Sequence, residues 1–105
     1  MKAYWIAHVD IADAEHYSQY TQRTPQAIAA FGGKFLARGG RSEAMEGRQT
    51  PQRTVIIEFE SYETAVACYR SAAYQEAKSY REDWARAEII IVEGTRIRDV
   101  GPGLT

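Results

Sequence analysis

The sequence predicts one α+β domain in which four strands and two helices follow the order β-α-β-β-α-β. Two observations support this class. Segments with alternating or β-branched apolar residues are separated by segments in which apolar residues recur at helical spacing. The length of 105 residues and the hydrophobic share of 45% are typical of one globular domain. We expect the domain to span residues 1–94 and a C-terminal tail to span residues 95–105.

The N-terminal quarter of the chain predicts a strand followed by a helix. Residues 3–10 (AYWIAHVD) place apolar side chains on both faces, as in a central strand. Asp13 is typical of a helix N-cap, and apolar residues at helical spacing continue to Phe31. Pro25 has no amide N–H and disfavours helical geometry at Thr24. We therefore expect the helix to break or kink there, with Thr24 as a new N-cap.

The middle of the chain predicts two strands joined by a turn-rich connection. Residues 34–38 (KFLAR) form a strand that we expect to bend at residues 39–40 and continue over residues 41–46. Residues 47–52 (GRQTPQ) form the connection. Residues 53–59 (RTVIIEF) give the clearest strand because they are rich in β-branched side chains.

The last third of the chain predicts a helix, a short further helix and a strand. Ser61 caps the helix, whose apolar stripe runs from Tyr62 to Tyr69. Ser71 is expected to cap the further helix, and residues 88–93 (EIIIVE) form the last strand. The whole order is that of a ferredoxin-like split βαβ fold.

Glu58 indicates which face of the predicted antiparallel sheet the helices cover. Right-handed crossovers place the first and third strands in the centre and the helices on one face. An unpaired carboxylate beneath the helices would be costly, so Glu58 should point to the other face, called here the open face. Strand alternation then adds these residues to the open face: Tyr4, Ile6, His8, Leu36, Arg38, Thr54 and Ile56. Such an apolar face favours a two-fold homodimer.

Several spaced motifs resemble one known family. They are residues 4–10 (YWIAHVD), 32–40 (GGKFLARGG) and 57–59 (IEF), followed by Tyr69-Arg70-Ser71, Tyr74-Gln75 and Ala77-Lys78. Over about residues 2 to 94 the chain resembles domain-of-unknown-function family 1330, of the dimeric α+β barrel superfamily. The resemblance implies a ferredoxin-like protomer and a dimer whose two sheets form a barrel. It implies no activity, although superfamily relatives include cofactor-independent oxygenases and isomerases and ligand-sensing regulator domains.

Three polar residues assigned to the open face are candidates for catalysis. Arg38 could hold an anionic substrate group, and His8 or Glu58 could act as a general base. The alternative is structural: an Arg38–Glu58 ion pair at the dimer seam, with His8 hydrogen-bonded nearby.

A second group of residues is a candidate for substrate binding. The segment from the second helix onward contains Tyr69, Tyr74 and Arg81. These side chains could form the walls of a pocket that binds a planar apolar ligand. Tyr4 would join them from the open face. The alternative is that tyrosines at this spacing are core residues with a hydrated hydroxyl, and that Arg81 reaches solvent.

Composition excludes several classes of function. A net charge of −1 gives no attraction to nucleic acid or to an anionic membrane, and no apolar stretch reaches 18 residues. The single cysteine, Cys68, allows no intrachain disulfide, and buried packing is expected for it. His8, His16 and Asp13 match no metal-binding spacing, so neither metal nor cofactor is expected. No signal peptide is visible, and we expect a cytoplasmic protein.

Two functional hypotheses remain open. The first is an enzyme or binding protein that acts, without a cofactor, on a small aromatic or anionic metabolite. The second is a non-catalytic dimeric module that senses a ligand or serves only in assembly.

Overall fold

The computed structural model of the protein describes residues 1–96, and residues 97–105 of the expected tail lie outside the described residues. Residues 1–96 contain four strands and three helices in the order β-α-β-β-α-α-β. They are β1 (Ala3–Ile11), α1 (Ala14–Ala30), β2 (Lys34–Arg38), β3 (Arg53–Phe59), α2 (Tyr62–Arg70), α3 (Ala72–Ser79) and β4 (Ala85–Glu93).

The strands form one antiparallel sheet in the order β2-β3-β1-β4. The first and third strands are central, which confirms the predicted ferredoxin-like arrangement. The odd-numbered residues of β1 from Ala3 to Val9 are buried beneath the helices, whereas the even-numbered residues from Tyr4 to His8 are only half-buried. In β3 the buried set is Val55, Ile57 and Phe59, as predicted from the position of Glu58.

The core lies between the sheet and the helices and is built around Trp5. The Trp5 ring stacks on Phe59 with centroids 6.1 Å apart and meets the edge of Tyr74 at 4.9 Å. Ile28 of α1 and Cys68 of α2 are also almost completely buried. Full burial of an apolar side chain of this size contributes about 1.5–3 kcal/mol to folding.

Helix α1 does not break at Pro25, so the expected N-cap at Thr24 is wrong. Asp13 caps the helix by accepting a hydrogen bond from the His16 amide, and the helix then continues to Ala30. Thr24 and Ile28 are buried on either side of the proline in sequence. Packing of this stripe against the sheet outweighs the one backbone hydrogen bond that proline removes.

Strand β2 ends at Arg38, so the expected continuation over residues 41–46 is also wrong. Gly39 adopts φ of +77° and directs the chain out of the sheet. Its amide donates a last hydrogen bond, to the Thr54 carbonyl at 3.0 Å. Strand β4 begins at Ala85, earlier than the predicted Glu88. Among residues 1–96, no helix is long and apolar enough to cross a membrane.

Candidate functional site

The open face carries His8, Glu58 and Tyr4, as predicted. His8 Nδ1 lies 3.2 Å from Thr54 Oγ1, its neighbour across the β1–β3 pair. Glu58 stands opposite Tyr4, and its carboxylate lies 3.6 Å from Lys2 Nζ. These side chains therefore form separate local contacts along the two central strands.

Arg38 does not join them, and its assignment to the open face is wrong. The β2–β3 register shifts between Phe35 and Ala37, so that Arg38 stands opposite Val55. Directly opposed residues point to the same face, and Val55 belongs to the core beneath the helices. The Arg38 guanidinium carbon lies 4.3 Å from the Phe35 ring centroid on that side. The extra residue of a β-bulge, Leu36, has reversed the alternation.

This bulge separates the three proposed catalytic residues. His8 and Glu58 occupy the open face, whereas Arg38 lies on the helix face of the sheet. The expected Arg38–Glu58 ion pair is consequently absent among residues 1–96, where Glu58 pairs with Lys2 instead.

Arg38 lines a cavity between α1 and the helix face of the sheet. The cavity encloses about 30 Å³, and the recess counted with its mouth is about 470 Å³. Aromatic side chains from the sheet and from α1 form part of its walls. Three arginine side chains also line it. The aromatic residues are Trp5, Tyr17, Tyr20 and Phe35, and the arginines are Arg38, Arg53 and Arg81.

Arg53 begins β3 on the same face as Arg38. Its Nε is buried without a hydrogen-bond partner among the described residues, and its guanidinium carbon lies 6.0 Å from the Tyr17 ring centroid. The side chain passes directly over Gly39, where a Cβ would clash with a nitrogen of the Arg53 guanidinium. Glycine at position 39 thus allows both the turn that ends β2 and the placement of Arg53.

Arg81 follows α3 and reaches the cavity from the other side. It is 5% exposed, and its guanidinium donates a hydrogen bond to the Tyr74 hydroxyl at 3.2 Å. The guanidinium carbon also lies 5.0 Å from the Tyr20 ring centroid. Tyr74 and Tyr20 are both neutral. These two contacts therefore hold the buried Arg81 guanidinium in place but give it no negative charge.

The tyrosines around Arg81 are linked to one another. The hydroxyls of Tyr20 and Tyr74 lie 2.8 Å apart, joining α1 to α3. Tyr74 is positioned by the cap of α3, because the Ser71 hydroxyl accepts a hydrogen bond from the Tyr74 amide at 3.2 Å. Burial raises the pKa of both Tyr20 and Tyr74 above the ordinary value. Both phenols are therefore protonated hydrogen-bonding groups at neutral pH.

The three tyrosines predicted to bind substrate lie at three different places in the fold. Tyr74 is fully buried in the core, and Tyr69 packs on Trp5 with centroids 5.6 Å apart. Tyr69 also lines a more open recess between α2, α3 and β4, whose wall includes Arg81. Tyr4 lies on the open face, away from both recesses. The structure thus brings Arg38 and Arg81 to one cavity and places Tyr74 directly behind it.

Charge is unevenly distributed around this cavity. Its lining residues include three arginines but no aspartate, glutamate, histidine or cysteine. No ion pair involving those arginines occurs within residues 1–96. The same part of the chain contains no group of three residues able to hold a metal ion. Chemically, the cavity combines apolar walls with donors for an anion.

Sequence reasoning missed Arg53, Tyr17 and Tyr20. The two tyrosines belong to the helical spacing of apolar residues that continues to Phe31, but that spacing gives no sign that they border a cavity. Arg53 could have been found by strand alternation, because Val55, Ile57 and Phe59 were assigned to the helix face and Arg53 has the same parity.

The element order and the strand order β2-β3-β1-β4 define an α+β protein of the ferredoxin-like class. Solved structures show the same fold. A protein of unknown function from Rhodopseudomonas palustris gives a TM-score of 0.73 at 19% identity, covering 90% of this chain and 83% of that chain. A dimeric ferredoxin-like protein of unknown function from Jannaschia sp. CCS1 gives 0.69 at 10% identity, covering 90% and 100%. SnoaB, a cofactor-independent oxygenase from Streptomyces nogalater, gives 0.57 at 6% identity, covering 90% and 94%.

The chain belongs to the family described as Domain of unknown function (DUF1330), whose model matches residues 2–95. This match confirms the resemblance found in the sequence motifs. No curated protein matches the chain. At identities of 19% and below, the solved structures show the fold alone.

Proposed function

We propose that the protein binds a small organic anion with an apolar body in the cavity between α1 and the sheet. One observation carries this proposal: three arginines and no carboxylate line a cavity whose remaining walls are largely apolar and aromatic. A buried cation is costly unless an anion or several hydrogen bonds compensate it. An anionic ligand would supply that compensation.

The cavity walls suit a flat ligand. Trp5 lies on the sheet side, and Tyr17 and Tyr20 lie on the helix side. The enclosed 30 Å³ holds about one water molecule. A larger ligand would use the mouth of the recess, where the exposed Arg38 side chain can swing outward.

The lining favours binding over proton-transfer chemistry. Its titratable groups, besides the arginines, are the phenols of Tyr17 and Tyr20, and burial raises the pKa of each. Neither is suited to act as a general base at neutral pH. His8 and Glu58, the bases proposed from the sequence, lie on the opposite face of the sheet. A ligand-binding or ligand-sensing role is therefore better supported than an enzymatic one.

We also propose that two copies pair through the open face. Ile6 and Ile90 are neighbours on this face, and Ile90 and Val92 remain 63% and 46% exposed in the single chain. A continuous apolar surface of this kind marks an interface. The structurally similar Jannaschia protein is described as dimeric, which supports the same arrangement here.

Benzoate titration tests the binding proposal, with tryptophan fluorescence and calorimetry as readouts. We expect benzoate to bind and its neutral analogue benzamide to bind far more weakly. Arg53→Gln should weaken benzoate binding about tenfold or more, because a charged hydrogen bond contributes about 1.5–3 kcal/mol.

The matched control is Arg41→Gln, which removes the same charge from an exposed residue that does not line the cavity. It should bind benzoate as the wild type does. Equal binding by wild type and Arg53→Gln, or no benzoate binding by the wild type, would overturn the proposal.

A further inference from the structure

The helices leave the edge strand β4 partly uncovered. Ile57, Trp5 and Ile91 form one row of directly opposed residues on the helix face of the sheet. Ile57 and Trp5 are almost completely buried, whereas Ile91 is only half-buried. In the next row Ala7 is buried and its β4 neighbour Ile89 is again half-buried. Coverage by the helices therefore becomes incomplete at β4, where apolar side chains remain in contact with water.

A recess of about 440 Å³ lies over this part of the sheet, between α2, α3 and β4, and is called here the β4 recess. It is far larger than the 30 Å³ enclosed in the cavity beneath α1. Its β4 wall runs from Ala87 to Ile91, which is about 13 Å along a strand. The β4 recess is therefore long enough to hold an extended chain.

The chain connections fix the direction of α2 over the sheet. Strand β3 ends close to the end of β4, because Phe59 and Glu93 both stand opposite Ala3. Helix α2 therefore begins at the end of the sheet where β4 finishes. Helix α3 and residues 80–84 then return the chain to Ala85, where β4 begins.

This direction gives the β4 recess an apolar end and a basic end. Tyr62 from the start of α2 and Ile91 from the end of β4 line the apolar end, and Val66 follows one turn along α2. Arg70, the last residue of α2, and Lys78 of α3 line the other end. No aspartate or glutamate within residues 1–96 lines the β4 recess. Its lining is thus complementary to a molecule with an apolar chain and one anionic end.

Arg70 is the cation at this end that is available to an incoming anion. Lys78 Nζ lies 2.9 Å from the Glu82 carboxylate and is already neutralised. Arg81, which lines both the β4 recess and the cavity beneath α1, donates a hydrogen bond to Tyr74. Arg70 is exposed, and none of the ion pairs within residues 1–96 includes it.

We propose that the β4 recess is a second binding site, additional to the cavity beneath α1, and that it takes a linear carboxylate with an alkyl chain of medium length. The chain lies along β4 between Val66 and Ile91, and Arg70 binds the carboxylate at the mouth. Burial of the chain supplies most of the affinity, and the exposed ion pair supplies a smaller part.

Calorimetric titration with hexanoate, octanoate and decanoate, below the concentration at which decanoate forms micelles, tests this site. We expect the affinity of the wild type to rise about fourfold for each added CH₂ group. Octan-1-ol has as many carbons as octanoate but no charge, and it should bind more weakly than octanoate. Equal affinity for the three acids would overturn the proposal.

Two variants locate the site. Arg70→Gln should weaken decanoate binding about threefold to fivefold, the range expected for an exposed ion pair. Val66→Asp places a carboxylate against the alkyl chain and should weaken binding about tenfold or more. The matched control for charge is Arg41→Gln, which changes an exposed residue that lines neither space and should bind decanoate as the wild type does.

Circular dichroism at the titration temperature checks that each variant is folded. If Val66→Asp is unfolded, Arg70→Gln and the chain-length series still decide. Unchanged decanoate binding by Arg70→Gln or by folded Val66→Asp would overturn the proposal, because the chain would then lie elsewhere.

Absence of decanoate binding by the wild type would also overturn it. If Val66→Asp then changes the elution volume in size-exclusion chromatography, the β4 recess is a contact between copies of the chain rather than a ligand site. The benzoate test of the proposed function is independent of these outcomes, because Arg53 does not line the β4 recess.

Discussion

Gly33 occupies a position where no larger residue fits without displacing the core. It lies between α1 and β2, and its amide donates a hydrogen bond to the Ile28 carbonyl at 3.0 Å. A Cβ at this position would lie 2.5 Å from the Ile28 side chain and 2.8 Å from the Phe59 ring. Both neighbours are 1% exposed, so a larger residue at this position would have to displace packed core side chains.

Gly33→Ala should therefore lower the free energy of unfolding by about 1–3 kcal/mol, the usual cost of overpacking a core. Urea denaturation followed by circular dichroism measures this change. Gly40→Ala is the matched control, because a Cβ there meets nothing within 4 Å. Equal stability of the two variants would show that the core yields at Gly33.

Arg38 shows why single-residue assignments were only partly predictable. Alternation along a strand assigns a face correctly as long as the register is regular, as it did for Glu58 and Ile57. One extra residue reverses every later assignment, and the sequence of β2 carries no distinct signal for a bulge at Leu36. The arginine cluster was missed for this reason and because Arg81 gave no sign of burial.

At the scale of elements, local sequence predicted structure well wherever capping and packing agreed. Ser61 and Ser71 both cap helices as expected. Strand β3 has the predicted bounds, Arg53–Phe59. Pro25 is the exception. The loss of a backbone hydrogen bond at proline can be read from the local sequence, but the burial of Thr24 and Ile28 that compensates for it depends on packing against the sheet. That packing energy cannot be read from a single sequence.

The N-terminus of α1 predicts a measurable pH dependence. The hydrogen bond donated by the His16 amide holds the pKa of Asp13 below its ordinary value of 3.8. A carboxyl group whose pKa is lower in the folded state stabilises the fold above its unfolded pKa. That stabilisation is lost as the pH falls through the lower, folded-state pKa.

We expect the unfolding free energy of the wild type to fall more than that of Asp13→Asn as the pH is lowered below about 4. Asparagine still accepts the capping hydrogen bond but does not titrate. Urea denaturation across this pH range gives the comparison, with Asp83→Asn as the control for an exposed carboxylate outside the cap. Parallel pH profiles for wild type and Asp13→Asn would contradict the prediction.

At the scale of the whole molecule, the fold was predictable because several independent sequence patterns along the chain indicate it. Strand and helix spacing, the predicted helix caps and the family resemblance all point to the same topology. The cavity was less predictable, since it is the gap left between α1 and the sheet and depends on side chains from distant segments. The apolar open face, in contrast, follows directly from the alternation of Ile6 and Ile56 in the two central strands.

The proposed pairing through the open face is tested by Ile90→Asp. Ile90 is 63% exposed in the single chain, so the substitution should leave the fold intact. In a dimer it would bury a carboxylate without a partner and thereby separate the copies. We expect the wild type to elute as a dimer in size-exclusion chromatography at micromolar concentration and Ile90→Asp as a monomer.

The control for this experiment is Tyr62→Asp, which changes an exposed apolar residue of α2 on the helix side. It should elute as the wild type does. A wild-type protein that is monomeric at micromolar concentration would contradict the pairing.

The bulge in β2 bears on how many copies can assemble. Strand β2 forms one edge of the sheet, and a regular edge strand would offer unpaired amides and carbonyls to another chain. The irregularity between Phe35 and Ala37 interrupts that pattern, and Lys34 and Arg38 add charge at both ends of the strand. Growth by strand addition at this edge is thereby discouraged. The proposed contact through the face of the sheet would close after two copies, and the same bulge that moves Arg38 to the helix face would hinder strand addition at the β2 edge.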